Sequence, residues 1–213
     1  LRKLIVIGVV LAALAAADGV VKSWVESQIE SRARIEAGAG ASASAQIKSF
    51  PFLGKLAVIG SAGDITLTLR NVAGERITYS RLAFSLVDVR LDRAKLLQRK
   101  AEITSIDKAT ITVAFSAAEL SKRIGFPVSF ADGKVRATVR GQVVAAVPTV
   151  TAEGSVRLAV SGLPAVNIPI PRTRLLTCAV ARVEVAGGEL RASCSVDEVP
   201  PALIKAASRA VSG

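Results

Sequence analysis

The chain reads as an α+β protein in which antiparallel sheet predominates, and three observations lead there. Hydrophobic residues make up 51% of the sequence but aromatics only 4%, so the interior is built from Val, Ile, Leu and Ala, and the frequent β-branched residues favour sheet. Segment after segment beyond Gln46 alternates apolar with polar residues at a period of two, the pattern of a strand with one buried face. One segment near the start instead repeats its apolar residues every four, as a helix does.

Residues 1–17 come first. Arg2-Lys3 precede the run Leu4 to Ala17, which ends in Ala15-Ala16-Ala17; this is the layout of an export signal, with basic, apolar and small-residue regions in order. A helix of that length rises only about 21 Å, against a hydrocarbon core of about 30 Å. The segment therefore reads as a signal peptide or an N-terminal membrane anchor, the alternative being a buried core helix. About 196 residues remain, enough for a single domain over 18–213.

Gly19 to Ala37 is expected as an amphipathic helix, with Val21, Val25, Ile29 and Ala33 on one face, Trp24 beside them, and Lys22, Glu26, Glu30 and Arg34 on the other. The tract Gly38 to Ala45 reads as a flexible connector. Strands are expected through Ile65, Leu67 and Leu69, through Tyr79 to Leu91 (apolar on both faces in places), and through Ile111, Val113 and Phe115. Leu91 to Lys100 reads as a short helical or irregular turn, and Ser116 to Ile124 as a short second helix, capped by Ser116 with Glu119 three residues on. Val135 to Val147 is the cleanest alternation in the chain, and Leu163 to Pro171 is too rich in proline for a central strand. Pro200-Pro201 opens a C-terminal helix from Ala202 to about Val211.

Two cysteines in an exported chain read as a disulfide between Cys178 and Cys194, with two buried thiols as the alternative. A hairpin turning at Gly187-Gly188 pairs Val183 with Ala192 and Val185 with Leu190. That register sets Cys194 opposite Ala181, so a direct pairing with Cys178 needs a bulge or a turn centred on Ala186.

The net charge of +11 and a pI near 10.4 first suggest nucleic acid. Export excludes that partner and directs the charge to phospholipid headgroups or acidic envelope polymers. The sequence has no histidine, which removes His-based zinc sites and Ser-His or Cys-His catalysis. No general acid, metal cluster, nucleophile elbow or phosphate-cradling glycine loop is recognisable. No catalytic residue, metal or cofactor is expected, and the protein is not read as an enzyme.

The order of these features, from Ala17-Asp18 through the amphipathic helix, Ile47-Lys-Ser-Phe-Pro-Phe-Leu-Gly54, Val87-Asp-Val-Arg-Leu91, Ile111-Thr-Val113 and Ala117-Ala-Glu-Leu120, resembles the LmeA-like phospholipid-binding family of actinobacterial envelope proteins. The resemblance covers nearly the whole chain after residue 17, and its distinctive motif is Phe-Pro-Phe-Leu. It implies a long curved antiparallel β-sheet wrapped around an amphipathic helix, similar to tubular lipid-binding domains, with non-enzymatic phospholipid binding in the cell envelope. It carries over no catalytic residues. The usual first strand is looser here, at Ala57 to Gly63.

Such a sheet leaves an aliphatic slot for acyl chains or else packs completely on itself. On the slot reading, lipid or membrane contact falls to Phe50, Phe52, Leu53, Val113, Phe115, Leu120, Ile124, Phe126 and Phe130. Phe50 to Leu53 suits an insertion loop and the core end of a strand equally. Basic residues for headgroups are Arg90, Arg93, Lys95, Arg99, Lys100, Lys122 and Arg123. The expected partners are an anionic phospholipid and a membrane surface, for binding and transfer of lipid. The rival function is an exported structural or adaptor module that binds acidic envelope polymers or a protein.

Overall fold

The computed structural model describes residues 2–74, 78–98, 102–151, 155–159, 165–169, 180–197, 199–201 and 204. In chain order the elements are α1 (Arg2–Ala37), β1 (Ser42–Lys48), α2 (Phe52–Ile59), β2 (Ser61–Ala73), β3 (Thr78–Leu91), α3 (Arg93–Leu97), β4 (Ile103–Ser105), β5 (Lys108–Ser116), α4 (Ala117–Ile124), β6 (Val128–Ala131), β7 (Lys134–Val139), β8 (Gln142–Ala146), β9 (Pro148–Val150), β10 (Ser155–Leu158), β11 (Val166–Pro169), β12 (Val180–Ala186) and β13 (Glu189–Asp197). The fold is α+β, as expected. Its main sheet runs β1-β2-β3-β5-β13-β12 with β4 beside β3, and two three-stranded sheets, β6-β7-β8 and β11-β10-β9, accompany it.

The register sorts the main sheet into two chemically distinct faces, because directly paired residues of antiparallel strands point the same way. One face carries the rows Ala43-Leu69-Leu82-Val113-Ala192-Val183, Ala45-Leu67-Phe84-Ile111-Cys194 and Ile47-Ile65-Leu86-Ala109-Val196. The opposite face carries Ser44-Thr68-Ala83-Thr112-Ser193 and Gln46-Thr66-Ser85-Thr110-Ser195. The aliphatic face holds the core and the hydroxyl face meets water, so the period-two alternation is the direct cause of the layering.

Two separate clusters cover the aliphatic face. At one end Ile47, Phe52, Ala62, Val89, Ile106, Ala109 and Val199 are buried under Val21, Val25 and Ile29 of α1 and Leu53 and Leu56 of α2. At the other end Val113, Phe115, Leu190 and Ala192 are buried with Leu120 of α4, Val135 of β7, and Val156, Leu158 and Ile168 of the β11-β10-β9 sheet. Phe115 also meets the Tyr79 ring at 5.6 Å.

Several expectations are corrected. The helix expected from Gly19 begins earlier, at Arg2, so that α1 is continuous from Arg2 to Ala37. Half of the supposed connector is strand: after the Gly38–Gly40 turn, Ala43 and Ala45 alternate with Ser42 and Ser44 and pair with Leu69 and Leu67. The Phe-Pro-Phe-Leu segment is not the end of a strand, since Phe52 opens a helix that closes at Gly60 in the left-handed conformation, and Phe50 in the turn before it is exposed. Asp88, at φ 47°, interrupts the alternation of β3 so that both Leu86 and Val89 face the core, while Val87 is exposed. The Val135–Val147 stretch folds back on itself at Arg140-Gly141, both at positive φ, to make the β7–β8 hairpin.

Other local readings match the structure. Ser116 caps α4 by accepting the Glu119 N–H at 3.2 Å. Val183 pairs with Ala192 and Cys194 stands opposite Ala181. Among the described residues the proline-rich crossing supplies the edge strand β11. Of the expected C-terminal helix, Pro201 and Ile204 are helical and the rest lies outside the described residues. Among the described residues no helix is long and apolar enough to cross a membrane.

Candidate functional site

Between the two clusters lies the row Ala45-Leu67-Phe84-Ile111-Cys194. Ala45 and Cys194 are buried and Ile111 leans on the second cluster. Leu67 and Phe84, cross-strand partners at the middle of the row, remain partly open, and among the described residues they pack into neither cluster. They form an aliphatic and aromatic strip on the inner face with a closed core at each end. A surface of this kind offers contact area without polar groups that need partners, which suits a hydrocarbon chain.

The structure distributes the nominated contact residues unevenly. Val113, Phe115 and Leu120 are fully buried and wall off one end of the strip. Phe52 is 3% exposed and closes the other end, while Phe50, two residues away, is 72% exposed. Leu53 packs on the first cluster, and Ile124 and Phe130 pack on the second. Phe126 stands exposed just past the left-handed Gly125 that ends α4.

The nominated basic residues fall into two groups at opposite ends of β5. Arg90, Arg93 and Lys95 lie where β3 ends, and Lys122 and Arg123 lie on α4 beyond the far end of β5. A nine-residue strand separates them by about 30 Å at 3.3 Å per residue, so one headgroup does not touch both. Arg99 and Lys100 lie outside the described residues, as does Cys178.

Several of these cations already have acidic partners. Arg90 Nε and Nη2 donate to Asp88 at 3.0 and 2.6 Å, and this pair, with a hydrogen bond from Ser61 Oγ at 2.9 Å, holds the Asp88 carboxyl below its ordinary value of 3.8. Lys95 donates to Glu102, which holds its ammonium above the ordinary range. Lys122 donates to Glu119 at 2.8 Å. Arg93 and Arg123 are exposed.

Three carboxylates of α1 fix the end of the sheet, and the sequence reading missed their role. Strand β1 is an edge, so alternate N–H groups lack a strand partner. Glu30 accepts the Ala45 N–H at 2.8 Å and Glu26 accepts the Ile47 N–H at 2.6 Å. Buried Asp18 accepts the Phe52 and Leu53 N–H groups at 2.9 and 2.5 Å, which are unsatisfied donors at the start of α2. Glu26 and Glu30 are expected on the face opposite the apolar stripe. Their spacing at i and i+4 shows that they share a face, but not that the face meets a strand edge.

The sequence model for LmeA-like phospholipid-binding proteins matches residues 16–213. No curated protein and no solved structure gives a significant match. The family match spans α1 from its residue 16 onward, both core clusters and the strip between them, and the chain belongs to the LmeA-like phospholipid-binding family.

Proposed function

We propose that this protein binds an anionic phospholipid, without chemistry on it, by laying acyl chain along the Leu67–Phe84 strip. The observation that carries this reading is the open strip itself: two partly exposed apolar side chains on the inner face of a sheet, between two finished cores. Each buried CH₂ contributes about 0.8 kcal/mol, so six carbons contribute about 5 kcal/mol before ordering costs. The headgroup then lies outside the strip, where the exposed Arg93 makes charge-assisted contacts to phosphate oxygens. The net charge of +11 supports an anionic lipid over a neutral one.

In this reading the protein acts outside the cytoplasm, carried there by residues 1–17 as signal or anchor, and suits transfer or presentation of lipid within the envelope. A Cys178–Cys194 disulfide would staple β13 in that oxidising space. Mass spectrometry of lipid extracted from natively purified protein tests the reading. Anionic phospholipid at a defined ratio is expected, and Leu67→Trp, which fills the strip, is expected to lower that ratio severalfold while leaving unfolding unchanged. Protein that purifies without lipid and takes none up from vesicles contradicts it.

A further inference from the structure

Helix α2 lies on the surface and yet is apolar nearly all round. Its inward residues Phe52, Leu53 and Leu56 pack on the first cluster, but its outward residues are Gly54, Lys55, Ala57, Val58 and Ile59. Val58 is 68% exposed and Ile59 61%, and Phe50 in the turn leading into the helix is 72% exposed. A surface helix normally turns charged and polar side chains outward. Here a single lysine stands among aliphatic side chains.

The surroundings of this face are basic. Lys48 at the end of β1 and Lys55 on the helix are exposed. Arg93 is exposed too, with its aliphatic stem over Gly60 at the end of α2, where an added Cβ would stand 3.1 Å from Arg93 Cγ. Three of the neighbouring acids are engaged: Asp88 by Arg90, Glu102 by Lys95, and Asp92 by the Ala94 and Lys95 N–H groups. Apolar side chains ringed by cations are what a helix lying in an anionic bilayer interface presents.

Position supplies the second argument. Asp18, whose carboxylate holds the first turn of α2, directly follows the apolar run Leu4 to Ala17 of α1. The bare face of α2 therefore sits at the foot of the most hydrophobic segment of the chain. The α4 end also carries an exposed phenylalanine and two basic residues, but no such run leads into it.

We propose that the outward face of α2, with Phe50, is the surface on which the protein rests against an anionic bilayer. This rests on the lipid-binding reading above for its purpose, but not for its geometry. Val58 and Ile59 enter the interface, and Lys48, Lys55 and Arg93 meet phosphates.

The test places a tryptophan reporter in the full-length chain carrying Trp24→Phe. Separate proteins carry Val58→Trp, Phe50→Trp and, as a distant control on β8, Val143→Trp, where the native side chain is 66% exposed. Each is mixed with phosphatidylcholine vesicles with and without one-third phosphatidylglycerol, and quenching by brominated acyl chains is read. With anionic vesicles the Val58 and Phe50 reporters are expected to shift to the blue and be quenched, and the Val143 reporter to stay in water. Two results overturn the proposal. One is vesicle-bound protein whose Val58 and Phe50 reporters stay wet, or are quenched no more than the Val143 reporter. The other is reporters already shifted to the blue without vesicles, in protein that sediments as a dimer, which assigns the face to a second copy. Lipid content measured on the same samples separates this failure from failure of the strip.

Discussion

Single residues at the β2–β3 junction set the register on which the strip depends. Gly63 has φ 75°, and an added Cβ would lie 2.8 Å from Ser49 Cβ and 2.9 Å from the Lys48 carbonyl oxygen. Gly63→Ala is expected to cost at least about 1–2 kcal/mol from the left-handed backbone alone, with the contact adding to it, as read by urea unfolding. Beside it, Asp88 pairs with Arg90 and accepts from Ser61, and its carboxyl sits below the ordinary value of 3.8. A lowered folded-state value means that the ion pair stabilises above pH 3.8 and that this contribution disappears as pH falls through the lower value. The site is open to solvent, so the contribution is modest. Asp88→Asn is expected to narrow the gap between mutant and wild-type stability as pH drops below the usual carboxylate range, and a gap that widens there contradicts this assignment.

At the scale of elements, α1 is held to the sheet by carboxylates as much as by its apolar stripe. Removing Glu26 or Glu30 leaves the Ile47 or Ala45 N–H without its acceptor, at about 1–3 kcal/mol each. Glu26→Ala and Glu30→Ala are expected to speed hydrogen exchange at Ile47 and Ala45 respectively, with little change in β5, and equal protection in the mutants would show that α1 docks by its apolar face alone. This contact also marks how far the sequence could be read. Ser116 with Glu119, and Gly187-Gly188 with its hairpin register, were legible because each is decided within a few residues. Glu26 meeting a strand edge, Phe50 parting from Phe52 into water, and Asp88 resetting the alternation of β3 were not, because each depends on which distant segment arrives alongside.

For the whole molecule, composition and period predicted an α+β fold with one aliphatic sheet face, and the alternation of Ile65, Leu67 and Leu69 with threonines identified that face directly. What alternation does not carry is how much of the face is covered. The nominated Val113, Phe115 and Leu120 proved to be closed core, whereas Leu67 and Phe84, equally apolar in sequence, lie where the α1–α2 cluster stops and the α4–β7–β10 cluster has yet to begin. Family membership establishes phospholipid binding at the level of the family; the gap between the clusters gives that binding a proposed location. The most direct test is photocrosslinking with a phosphatidylglycerol that carries a diazirine midway along one acyl chain, followed by peptide mapping. Adducts on β2 and β3 around Leu67 and Phe84, lost in Leu67→Trp, are the result expected; adducts confined to other segments, or none with lipid bound, would contradict the account.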